Sequence, residues 1–140
     1  MLEIKVMLED GAKMPTKAHE HDAGFDLYSR EDKIIFPDSS YTFETGVHMA
    51  IEPGYAGLLV SKSGLNKNLN VQSTGLVDAD YTGGIGVTLY NHGSGMVHIK
   101  KGQKISQIVI MPIAYAKLVL SDSLEATERG DGGFGSSGAF

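Results

Sequence analysis

The chain has no cysteine and no tryptophan in 140 residues. The missing cysteine excludes disulfide frameworks, Cys-ligated zinc, iron–sulfur clusters and thiol nucleophiles. Proline occurs 4 times, too seldom for a Pro-rich coil, and glycine has no every-third-residue period, so collagen is excluded. No apolar run approaches the roughly 18–20 residues of a membrane span. The N-terminus, Met1-Leu2-Glu3-Ile4-Lys5, lacks the basic-then-apolar pattern of a signal peptide. Positive charge is in short supply too. Twelve Lys and Arg against 17 Asp and Glu leave a net charge of −5, which argues against sequence-independent binding to nucleic acid. A small anionic ligand needs only local cations and stays open. The expectation is a cytoplasmic protein with no membrane segment and no nucleic-acid partner.

What is present is an ordinary globular balance, 41% apolar and 21% charged, with an excess of glycine. Eighteen Gly is about twice the usual share. Leu2, Ile4, Val6 and Leu8 alternate as a strand does. Short apolar or β-branched runs follow at 34–36, 41–49, 55–60, 84–90, 96–99, 105–113 and 114–120. Turn residues separate them every 8–12 positions, the spacing of an all-β sandwich or barrel. One helical turn fits around Ser63–Lys67, with Ser63 as its cap. Residues 1–120 read as one β domain. Residues 121–140 read as a flexible arm, because Gly130 to Gly138 holds five Gly in nine positions and ordering glycine costs entropy.

Four further glycine-bearing segments end strands with polar residues. Ala23 to Ser29 puts Asp26 between apolar neighbours, either as a bulged strand with a solvated carboxylate or as a site. Ser61-Lys62-Ser63-Gly64-Leu65 offers hydroxyls, a cation and backbone N–H groups, either as a capped turn or as an anion site. Gly75 to Gly86 predicts a β-hairpin with its turn near Asp80–Gly84. Asp78 there points inward if it continues the apolar face, which is costly for a carboxylate that is neither paired nor working. Gly102 to Ile108 offers Lys104 and Gln107, either as a polar strand start or as groups reaching a phosphate. His19-Glu20-His21-Asp22 has the look of a metal cluster but no third ligand of known geometry, and reads as a surface loop.

These segments occur in one order: AGFDLYS at 23–29, SKSGL at 61–65, GLVDADYTGGIGV at 75–87, GQKISQI at 102–108 and RGDGGFGSSG at 129–138. Together they resemble the five motifs of the trimeric dUTPases, a family with phage-type members. The resemblance implies an all-β distorted jelly roll with a Gly-rich C-terminal arm. It implies a homotrimer whose sites are shared, motifs one, two and four coming from one subunit, motif three from a second and the arm from a third. It further implies Mg²⁺-dependent hydrolysis of dUTP to dUMP and pyrophosphate by water attack at the α-phosphorus. Asp78 resembles the general base and Tyr81 the ring under the deoxyribose. The backbone at Gly75 and Gly86 resembles the groups that read uracil. Lys62, Ser63, Gly64 and Gln107 resemble phosphate contacts. Asp26 resembles the carboxylate that holds Mg²⁺ through water. Arg129, Phe134 and Ser136 resemble the arm's γ-phosphate cation, uracil-stacking ring and phosphate hydroxyl.

Two departures from the family pattern stand out. Lys62 replaces a common Arg and has no bidentate fork. Gln103-Lys104 replaces a common Asp-Arg, which takes away an ion pair expected to brace the site. The alternatives on the same fold are a dCTP deaminase-like or bifunctional enzyme and a nucleotide-responsive regulatory binding protein.

Overall fold

A computed structural model describes all 140 residues. Its regular elements are eleven strands and one helix. In chain order they are β1 (Lys5–Leu8), β2 (Gly24–Tyr28), β3 (Lys33–Ile35), β4 (Ser39–Glu44), β5 (Val47–Ala50), β6 (Tyr55–Ser61), α1 (Ser63–Leu69), β7 (Val71–Gln72), β8 (Thr74–Val77), β9 (Gly86–Asn91), β10 (Val97–Ile99) and β11 (Lys104–Pro112). All pairings are antiparallel and form four small sheets, β1-β5, β10-β3, β2-β11-β6-β8 and β4-β9-β7. One cluster fills the space between them, with Leu27, Phe43, Val87, Ile105 and Ile108 excluded from solvent. Each comes from the inward-facing positions of a strand, as period-two patterning requires. The fold is the all-β jelly roll that the turn spacing and the motif order lead one to expect.

Four local expectations need correction. The run 41–49 is two strands, because the chain turns at Thr45-Gly46. Gly46 has φ +70°, and a Cβ there would come within 2.8 Å of Arg30 Cζ. Ser63 does not cap the helix. The cap position is Lys62, whose side chain makes no capping bond. Gly75 to Gly86 is not a hairpin. β8 pairs with β6, while β9 pairs with β4 and β7. The intervening loop instead crosses from one sheet to another, because Ile85 N–H donates to Val47 O (2.9 Å) and Thr45 N–H donates to Ile85 O (3.2 Å). These bonds capture the chain before it can return along β8. Finally, residues 114–120 form no strand. A strand needs a partner edge, and Leu118, Val119 and Leu120 lie fully in solvent with none beside them.

The four-stranded sheet positions most of the polar residues singled out in the sequence. β11 bulges between Lys104 and Ser106, opposite Tyr28 and Leu27. The extra residue lets Ile105 and Ser106 both turn inward. Lys104 and Gln107 then share the face of Asp26, a re-aiming of side chains that strand alternation alone would not give.

Candidate active site

The 78–85 loop frames a cleft of about 390 Å³, lined by Gly75, Val77, Asp78, Tyr81, Gly84 and Gly86 with their neighbours. At Gly75 a Cβ would lie 3.0 Å from Leu59 Cδ1, so the bare backbone itself forms part of the wall. Tyr81 folds back over the loop and donates its hydroxyl to Gly84 O at 2.8 Å. A Cβ on Gly83 would lie 2.5 Å from that hydroxyl oxygen, so only glycine lets the ring pass. Asp78 is exposed. The inward orientation considered for it is not found, because Val77 takes the buried position and the next side chain points away. In that position the carboxylate keeps its hydration and can meet a water molecule at the cleft's edge.

A second group sits on the face of β2, β6 and β11. Asp26 is buried, and each of its oxygens meets an ammonium: Lys62 Nζ at 2.5 Å from Oδ1 and Lys104 Nζ at 2.7 Å from Oδ2. Burial pushes the Asp26 pKa up, but the hydrogen bonds from Lys104 and then Lys62 outweigh it and hold the carboxyl below its ordinary value. The hydrogen bond to Asp26 likewise raises Lys104. Lys104 therefore keeps an ion pair in this part of the site, with Asp26 as its partner. Gln103 is used differently, its Oε1 accepting from Lys100 N–H at 3.0 Å. The cluster of one carboxylate and two ammoniums carries a net +1, which suits a phosphate chain.

Gln107 lies directly across from Asp26 and donates from Nε2 to Ser61 O at 3.1 Å. Its side chain covers Gly24, where a Cβ would come 2.6 Å from Oε1. Thus Gly24 is there to admit Gln107. Beneath them Ser106 hydroxyl donates to Val60 O at 2.9 Å and meets the Ser73 hydroxyl at 2.7 Å. These buried bonds tie β11 to β6 and to the entry of β8. Ser63 and Gly64 follow Lys62 at the start of α1, both exposed.

The third group is the arm. Arg129, Phe134 and Ser136 are exposed, and all hydrogen bonds made by residues 121–138 stay inside that segment. Arg129 Nε donates to Gly132 O at 2.9 Å. The structure thus places the predicted residues in three sets. None of Asp26, Lys62, Ser63, Gly64, Gln107 or the arm residues lines the Asp78–Tyr81 cleft. His19 and His21 lie in an exposed turn closed by His19 N–H on Asp22 Oδ2 at 2.9 Å, and no three His, Cys, Asp or Glu side chains converge anywhere to hold an ion. Sequence reasoning offered Lys104 as a group reaching a phosphate but did not pair it with Asp26, because the bulge that aims it there leaves no mark on the hydropathy pattern.

Comparison with known proteins places the chain as a whole. The dUTPase family model matches residues 10–138. The deoxyuridine 5'-triphosphate nucleotidohydrolase of Clostridium tetani is 41% identical over 140 residues, covering 98% of this chain and 96% of that protein. The Mus musculus enzyme of the same name is 37% identical over 134 residues, covering 95% of this chain and 83% of its own length. The solved structure of Staphylococcus bacteriophage 80alpha dUTPase with dUPNHPP superposes with a TM-score of 0.92 at 32% identity, covering 99% of each chain.

Proposed function

Because the chain belongs to the dUTPase family and splits dUTP into dUMP and pyrophosphate, we propose that Asp78 deprotonates the water that attacks the α-phosphorus, in a site shared by three copies of the chain. The observation that carries this reading is the separation of the three sets of residues. The cleft and the arm present exposed groups, and the second set presents Ser63, Gly64 and two ammoniums around the buried Asp26. Each is chemically complementary to one part of dUTP, yet in one chain neither the second set nor the arm lines the cleft. The unpartnered apolar segment at 114–120 also supports assembly, since Leu118 to Leu120 have nothing to pack on in one chain.

In this reading the backbone at Gly75 and Gly86 hydrogen-bonds the uracil edge. A buried polar mismatch rejects cytosine and a steric one rejects the thymine methyl. Tyr81 packs under the deoxyribose and leaves no room for a 2′-hydroxyl. Ser63, Gly64, Lys62 and Gln107 hold the α- and β-phosphates. The body, residues 1–120, supplies these groups. Residues 121–140 close over them, with Arg129 and Ser136 on the γ-phosphate and Phe134 stacked on uracil. Positioning and charge neutralisation are the main requirements of attack at phosphorus, and the placement of these groups is suited to both.

dUTPases use a divalent metal. The donors here fit an ion that arrives with the phosphates rather than one caged by protein. Asp26 is the one carboxylate among the phosphate-facing groups, and each of its oxygens, with one ammonium bound, keeps a lone pair for a water of the ion's shell. We take the ion to be Mg²⁺, which keeps several waters and binds through substrate phosphates. When bound, it neutralises phosphate charge. The cysteine-free sequence supports a cytoplasmic location.

The test is pyrophosphate release from a panel of nucleotides. Turnover of dUTP should exceed that of dCTP, dTTP and UTP by at least about 10²-fold, the scale set by site groups left unpaired with the wrong substrate. Equal rates for UTP and dUTP would remove the role given to Tyr81. Light scattering should give three times the 15.0 kDa of one chain, and a monomer mass would overturn the shared site.

A further inference from the structure

We propose that His48 is a positioning residue for the reaction, holding the 78–85 loop in register through Thr82. The inference rests on the site reading above, in which Asp78 and Tyr81 act from that loop.

His48 lies on β5, outside every motif. Its Nδ1 is 2.7 Å from Thr82 O. A carbonyl oxygen only accepts, so Nδ1 carries the proton and donates. This is the one hydrogen bond from the rest of the chain to residues 78–84. The others made there, Tyr81 N–H to Asp78 O and Tyr81 hydroxyl to Gly84 O, are internal to the loop. The ring also packs against the loop. A Cβ on Gly84 would stand 3.8 Å from His48 Cε1 and Nε2.

The imidazole is itself held in place. It is mostly buried, with its Nε2 shut off from solvent and without a hydrogen-bond partner, 3.8 Å from Glu9 Oε1. Glu9 in turn pairs with Arg30 at 3.4 Å, and Arg30 Nε donates to Glu44 O at 2.8 Å. The ring therefore links the framework of β1, β4 and β5 to the tip of the loop that presents the base. Asp80, with φ +70°, sits in the left-handed region that non-glycine residues disfavour. Ile85 anchors the end of the loop through Val47 and Thr45, and His48 adds the tie nearest its tip, one residue beyond Tyr81.

The experiment compares His48→Ala and His48→Asn with the parent trimer, using dUTP and UTP as substrates. An Asn amide places an N–H where the imidazole Nδ1–H stood. His48→Ala should lower kcat/KM for dUTP by about 10–100-fold, the cost of a loosened reacting geometry. The dUTP/UTP preference should narrow, while melting temperature and oligomer mass stay close to the parent. His48→Asn should restore both rate and preference. Unchanged kcat/KM and preference in the folded Ala variant would overturn the proposal, as would an Asn variant that folds but performs no better than Ala. If the Ala variant does not fold, the Asn variant decides alone: parental rate and preference support the tie, and a tenfold loss in a folded protein overturns it. Asp78→Asn assayed alongside separates the two readings. Its full activity would overturn the site reading and this inference together. Its inactivity beside an unaffected His48→Ala would overturn the inference alone.

Discussion

Replacing Asp78 by Asn should lower kcat for dUTP by about 10²–10⁴-fold, the span of a lost general base, while nucleotide affinity stays near that of the parent. The amide keeps the shape of the side chain and loses its capacity to take a proton from water. In energy that is about 3–5 kcal/mol of transition-state stabilisation. Asp78 is exposed and makes no hydrogen bond through its carboxylate, so the change disturbs no packing and should leave the melting temperature alone. Pyrophosphate release measures the first quantity and titration with α,β-imido-dUTP the second. Unchanged turnover would remove Asp78 as the base. A parallel collapse of affinity and rate would make it a binding residue instead.

Deleting residues 129–140 should have an effect of similar size by a different route. In the proposed site the segment contributes the Arg129 guanidinium, the Ser136 hydroxyl and the Phe134 ring. A charge-assisted hydrogen bond is worth about 1.5–3 kcal/mol and base stacking about 1–3 kcal/mol. Ordering a glycine-rich chain on the substrate offsets part of this, so kcat/KM should fall by about 10²-fold or more. Folding and assembly should survive, because residues 121–138 make no hydrogen bond to the body. A truncated protein that keeps its mass, its melting temperature and its activity would show that the arm is no lid.

The sequence made much of this visible. Alternation and turn spacing gave the strands, since burying one face of a sheet forces period two. The order of five short segments pointed to the residues of the cleft, the charged cluster and the arm. Topology was harder to see. Gly75 to Gly86 looks like a hairpin because strand, turn and strand follow one another. Which edges those strands pair with is decided by β6 and β4, far away in the chain. The Lys104–Asp26 contact was hidden for a related reason, because a bulge shifts a side chain by one position without altering hydropathy. Nothing local in the sequence marks His48, since the carbonyl it meets belongs to Thr82, 34 positions on. The glycines were informative only in part. Gly24 and Gly83 are explained by Gln107 and Tyr81 lying against them. At Gly64 a Cβ would meet nothing in one chain, so the folded chain alone gives no reason for glycine there.

The central claim, that one active site draws on separate chains, is tested most directly by mixing two dead proteins. One is full-length Asp78→Asn. The other keeps Asp78 and lacks residues 129–140. After co-refolding at equal amounts, random assortment in trimers gives about one quarter of sites with both an intact Asp78 and an intact arm. The account predicts that activity returns toward that fraction of the parent level, far above either protein alone. A mixed sample as inactive as its components, with mixed trimers confirmed by mass, would contradict it.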